Sequence, residues 1–104
     1  MIINDWDIAN NYIKQWKNTG DTVVFTNGCF DIIHRGHIEI LSAAKEKGNH
    51  LVVGLNGDQS VTRLKGNDRP LQPFEDRAMI LDAIESVDMV VGFEEDTPAK
   101  IILH

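Results

Sequence analysis

Three apolar, β-branched runs, at residues 22–26, 51–55 and 87–93, alternate with segments whose apolar side chains recur at helical spacing. That alternation predicts an α/β fold: a Rossmann-like parallel sheet of about three strands with flanking helices. The second run, Leu51-Val52-Val53-Gly54-Leu55, is unbroken rather than alternating, as expected of a parallel strand covered on both faces. The order of elements, one helix followed by β-α-β-α-β-α, calls for right-handed crossovers between parallel strands.

Residues 4–18 read as an amphipathic helix, with Asn4 or Asp5 as N-cap, Ile8, Ala9, Tyr12, Ile13 and Trp16 as its apolar face, and Gly20 closing it. Trp6 and Trp16 at this spacing predict packing rather than a base-stacking platform. The first strand, 22–26, runs into a helix over 36–47, which Gly48 is expected to cap. After the second strand, Asn56-Gly57-Asp58 opens a polar stretch with a short helical turn at 59–64. That stretch carries Arg63, Lys65 and Arg69. Pro73 fits the first turn of a third helix whose inward stripe is Ala78, Leu81 and Ile84. The third strand, 87–93, leads to Thr97 and Pro98, a cap and N1 pair that starts a further helix.

A chain of 104 residues with 42% hydrophobic content suits a single domain, 1–104, with the 4–18 helix packed on it. The net charge of −6 argues against a general nucleic-acid or acidic-membrane surface. Its acids are concentrated late: residues 71–104 hold eight Asp and Glu against Arg77 and Lys100 alone, so the basic side chains act locally. A single cysteine excludes an internal disulfide. No apolar run approaches the roughly 18 residues of a membrane span, and no signal-peptide pattern opens the chain. The expected location is cytoplasmic.

The chemistry-bearing stretch is 26–41, where the first strand gives way to a helix. Gly28 and Gly36 allow close backbone approach, and the helix start favours an anion, phosphate above all. His34 and His37 lie three apart and project to nearly the same side. Two imidazoles beside a positive helix end suit an anion whose charge is being redistributed, as in phosphoryl or nucleotidyl transfer. A zinc site is disfavoured because Cys29 is the only nearby thiol, and no metal ligands are assigned. Cys29 reads as a small packed thiol rather than a nucleophile. A dinucleotide site is disfavoured because no G-x-G-x-x-G follows a strand.

His34-Arg35-Gly36-His37, preceded by Gly28-Cys29-Phe30-Asp31, resembles the H-x-G-H signature of the nucleotidylyltransferases, and within them the cytidylyltransferase-like group. Arg63-Leu64-Lys65-Gly66, Arg69-Pro70 and Glu95-Asp96-Thr97-Pro98 make it most similar to the heptose 1-phosphate adenylyltransferase branch, over about residues 23–102. The resemblance implies transfer of AMP from ATP to a sugar phosphate, with Mg²⁺ and release of pyrophosphate; a CTP-using, glycerol-3-phosphate cytidylyltransferase-like enzyme is the alternative.

It also implies roles for particular residues. His34 and His37 hold the triphosphate, and the backbone of Thr26, Asn27, Gly28, Cys29 and Phe30 lines the phosphates, with Gly36 at the helix start. Lys65 is a mobile cation supported by Arg63 and Arg69. Asp31 orders the turn, with a magnesium role as the alternative. Arg77 stands near the phosphates or else pairs with Glu75, Asp76 or Asp82. The family domain goes on to a fourth and fifth strand, in the order 3-2-1-4-5, so the fold expected within residues 1–104 is incomplete. The edge of the first strand is then open to a second copy or a complementing chain. A non-catalytic phosphate-binding or assembly module is the reading from a different class.

Overall fold

The computed structural model describes residues 1–94. Four strands, all parallel, form one sheet: β1 (Ile2–Ile3), β2 (Val23–Gly28), β3 (His50–Asn56) and β4 (Met89–Phe93), in the order β1-β4-β3-β2. Helices α1 (Trp6–Asn18), α2 (Arg35–Lys45), α3 (Asp58–Lys65) and α4 (Phe74–Asp82) connect and cover them. The expected order of the three long strands holds. The fourth strand, β1, was not expected: two residues carry no periodicity, yet Ile2 and Ile3 pair with Val90 and Val91. The helix expected from Thr97 and Pro98 lies outside the described residues.

β3 is apolar without a break because helices cover both of its faces. Leu51, Val53 and Leu55 point to one side, where they meet Leu41 of α2 and Ala78 and Leu81 of α4. Val52 points to the other, with Met89 and Val91, against Ala9 of α1. All of the named β3 side chains are fully buried, each stabilising by about 1.5–3 kcal/mol through the apolar surface it removes from water. Strand periodicity of two thus distributes one run between two cores.

The apolar face of α1 is narrower than its sequence suggested. Ala9, Ile13, Trp6 and Trp16 pack on the sheet, whereas Ile8 and Tyr12 are exposed. Trp16 packs as expected and also stacks flat on the His50 ring, 4.0 Å between centroids. Asp5 is the N-cap, accepting from the Asp7 and Ile8 N–H groups, and Gly20 (φ 88°) follows the C-cap. Gly48 does not cap α2, whose C-cap is Glu46. It lets the chain pass the start of β2, since a Cβ there would lie 2.9 Å from the Thr22 carbonyl oxygen. Pro73 is the N-cap of α4 rather than a first-turn residue. The turn expected at 59–64 is a complete helix, α3, with Lys65 as its last residue.

β2 is the sheet's edge, and no strand lies beyond it among the described residues. The segment after α3 is tied back across the end of β2 by Asp31. Its buried carboxylate accepts from the Leu71 N–H (2.8 Å), the Gln72 N–H (3.0 Å) and Arg69 Nη1 (3.2 Å). Burial alone would push this carboxyl up, but the two backbone donors and Arg69 outweigh it and hold it below its ordinary value. No helix among the described residues is long and apolar enough to cross a membrane.

Two outcomes follow from this packing. Leu51→Ala should cost about 2–5 kcal/mol in urea denaturation, because a cavity opens between β3 and two helices. Because Asp31 is held below its ordinary value, its contribution is present above that value and is lost as pH falls through the folded one. Asp31→Asn turns an NH₂ donor toward N–H donors, so it should destabilise by about 1–3 kcal/mol at neutral pH. Denaturation curves across acidic pH should then show a flatter loss of stability than in the parent chain.

Candidate functional site

The ends of β2 and β3, the loop 29–34 and the first turn of α2 surround an open cleft of about 680 Å³. Its floor is made by the backbone and side chains of Thr26, Asn27, Gly28, Cys29, Phe30 and Asp31. His34 and His37 stand at one side, and Lys65 and Arg69 at another. Of the residues expected here, Gly36, Arg63 and Arg77 are not part of the lining.

α2 begins at Arg35 because His34 caps it. The His34 backbone is extended (φ −129°, ψ 179°), and its Nδ1 accepts from the Gly36 N–H at 3.0 Å. His37 returns the arrangement: its Nδ1 accepts from the His34 N–H at 3.2 Å. This is a reciprocal capping box built from two imidazoles instead of a hydroxyl and a carboxylate. The His37 N–H is itself taken by the His34 carbonyl at 3.0 Å. The Gly36 and His37 N–H groups at the helix start are therefore already occupied, while both rings line the cleft. With Nδ1 accepting in both, each neutral ring carries its proton on Nε2, the free donor position.

The two rings lie 4.1 Å apart between centroids, tilted by 33°. The His37 ring also meets the edge of Phe30, at 5.5 Å. Burial, and secondly the neighbouring His34, push the His37 imidazole below the ordinary histidine value, so it stays neutral and hydrogen-bonding in the free chain. Gly36 serves this cap rather than the cleft, since a Cβ there would stand 2.8 Å from His34 Cε1.

Arg63 reaches the Glu94 carbonyl, away from the cleft. Arg77 corrects its expected place near the phosphates more fully. Its side chain is buried, with Nη1 donating to the carbonyls of Cys29 (2.8 Å) and Asn56 (2.7 Å), Nε to that of Gln72 (2.9 Å) and Nη2 to Asp58 Oδ1 (2.6 Å). Neither Glu75, Asp76 nor Asp82 is its partner in these bonds. A guanidinium with its N–H groups so engaged binds the scaffold, not a ligand.

Asn56, Ile32, Ile40 and Leu64 line the cleft without having been singled out. For Asn56 there was a signal: a polar residue ending an apolar strand. The Cys29 thiol is pushed up chiefly by burial, with the charges of Lys65 and Arg77 partly offsetting this, so it is held as a protonated, unreactive group.

Among the described residues no group of three or more His, Cys, Asp or Glu could hold a metal. Among the described residues Asp31 is the one carboxylate lining the cleft, and its oxygens are already accepting from Leu71, Gln72 and Arg69. A single carboxylate so engaged is a poor donor set for a resident magnesium ion.

Residues 25–104 match the cytidylyltransferase-like family model. The bifunctional protein HldE of Granulibacter bethesdensis is 52% identical over 94 residues, 90% of this chain and 19% of that protein. The protein of the same name from Sulfurimonas denitrificans is 58% identical over 90 residues, 86% of this chain and 19% of its own length. The chain thus spans about a fifth of the length of the curated relatives it matches. Among solved structures, the lipopolysaccharide core biosynthesis protein from Thermoplasma volcanium GSS1 superposes with a TM-score of 0.70 at 30% identity, covering 81% of this chain and 67% of that one. With a family match over most of its length, and a solved relative that shares its fold, this chain belongs to the cytidylyltransferase-like family.

Proposed function

We propose that the cleft holds the triphosphate of a nucleotide and that the chain works as a nucleotidyltransferase, moving AMP from ATP to a sugar phosphate of the heptose 1-phosphate kind. The observation that carries this reading is the pair of Nε2 donors, left free because both Nδ1 atoms are spent on the backbone. A phosphate oxygen of the acceptor attacks the α-phosphorus of ATP, the bond from that phosphorus to the bridging oxygen breaks, and pyrophosphate leaves. No covalent intermediate on the protein is needed, which agrees with a protonated Cys29. His34 and His37 donate to the phosphate oxygens where charge accumulates, and Lys65 and Arg69, both lining the cleft, supply compensating positive charge. Mg²⁺ accompanies the nucleotide as its counter-ion. The choice of ATP and heptose over CTP and glycerol 3-phosphate rests on the resemblance at 63–66 and 95–98.

A second reading concerns partners. β2 has a strand on one side only among the described residues, and an open parallel edge invites another chain. We infer a second copy or a complementing chain pairing there; sedimentation showing a monomer at all concentrations would contradict it.

His34→Ala and His37→Ala should each lower pyrophosphate release by about 10²–10³-fold, measured with ATP and heptose 1-phosphate. Turnover that survives both changes would remove the proposal. Turnover should also depend on pH with a defined sign. A charged His37 would carry its second proton on Nδ1, the atom that accepts from the His34 N–H, so protonation breaks the cap and releases the oriented donor. Because burial and His34 hold His37 below the ordinary histidine value, pyrophosphate release should persist as pH falls through about 6.5 and decline only below it. A rate profile that declines well above that value would contradict this.

A further inference from the structure

Phe30 is the one non-glycine residue with positive φ (46°) among the described residues. For a bulky aromatic side chain this conformation costs of order 1–3 kcal/mol, and it persists only where the surroundings over-determine it. Here they do so from both sides. The carbonyl of the preceding residue, Cys29, is held at 2.8 Å by buried Arg77, and the carboxylate of the following residue, Asp31, is held by Leu71 and Gln72. Between these anchors the Phe30 ring is laid over Gly28, where a Cβ would stand 2.9 Å from Phe30 Cε2, and its edge meets the His37 ring.

We propose that Arg77 is a positioning residue for His37: through the Cys29 carbonyl it keeps Phe30 in the left-handed conformation that sets the ring of Phe30 against the imidazole. The guanidinium touches no ligand. It is tied to the ends of β2 and β3, to Gln72 and to Asp58, so the direction of His37 is referred to the sheet itself. Its importance for catalysis rests on the nucleotidyl-transfer reading; the mechanical claim about His37 does not.

The test is therefore read without nucleotide, as the NMR titration of the His37 ring. In Arg77→Lys, which keeps the charge but loses the fork, the His37 ring loses the cover of Phe30 and its titration moves up toward the ordinary histidine value, while Val87→Ala, a cavity in the buried core, leaves it in place. Pyrophosphate release, where the transferase reading holds, falls about 10²-fold in Arg77→Lys. A folded Arg77→Lys with an unmoved His37 titration, or a Val87→Ala that moves it as much, overturns the proposal, whatever happens to activity. Should Arg77→Lys fail to fold, Gly28→Ala, which pushes on the Phe30 ring, and Asp58→Asn, which slackens the guanidinium at its half-exposed partner, are read in the same way. An upward move in both supports the proposal, and an unmoved ring in either overturns it.

Discussion

A guanidinium taken fully out of water must find an acceptor for its N–H groups, and the way Arg77 does so sets the shape of this molecule's working end. Three of its bonds go to main-chain carbonyls belonging to the β2 end, the β3 end and the segment before α4, and a fourth goes to Asp58 at the start of α3. Three pieces of chain, at residues 29, 56–58 and 72, are thereby fixed to one planar fork. A lysine could carry the charge to the same place but not the geometry. Since Asp58 keeps about half its side-chain surface in water, the pair avoids the full desolvation cost of a closed buried ion pair.

Asp31 does the complementary job with the opposite sign. Its carboxylate gathers N–H groups from 71 and 72, bringing Arg69 and the end of α3 over the cleft. The acidic balance of the chain, −6, is consistent with a site for anions because the local balance is reversed. Asp31 is already engaged, while Lys65 and the imidazoles face the open space. Net charge described the surface; it said little about 680 Å³ of cleft.

The fold was largely legible because both of its rules are periodic. A continuous apolar run such as 51–55 has one economical place, the middle of a parallel sheet, and the sheet puts it there. What could not be read was whatever has no period or depends on distant chain. Ile2 and Ile3 form a strand only because β4 offers an edge. Ile8 and Tyr12 fit a helical stripe yet face water, while Ala9, Ile13 and Trp16 of the same stripe pack on the sheet. In the site, the histidines announced themselves by spacing, whereas Arg63, Lys65 and Arg69 looked alike as basic residues in a polar stretch. Helix α3 separates them, ending at Lys65 on the cleft and sending Arg63 to Glu94. Arg77, a cation near the positive start of α4, has a burial that no local pattern announces, because its partners are carbonyls 5, 21 and 48 residues away.

Why histidine should occupy both cap positions follows from the ring itself. A serine or aspartate at the N-cap spends its oxygen on the helix and has nothing rigid left to offer a ligand. Imidazole has two nitrogens fixed about the ring: one can satisfy a backbone N–H while the other points outward, and the bond made by the first dictates which tautomer the second presents. Here that logic is used twice and reciprocally, so the same two hydrogen bonds that start α2 also leave both outer nitrogens as donors. Only glycine at 36 leaves room for the first ring, and only glycine at 28 leaves room for the phenyl group that meets the second. The spacing H-x-G-H is thus a requirement of the helix start before it is a requirement of any ligand. An anion entering the cleft meets donors whose orientation the fold has already fixed, which is the condition under which such donors stabilise developing charge most effectively.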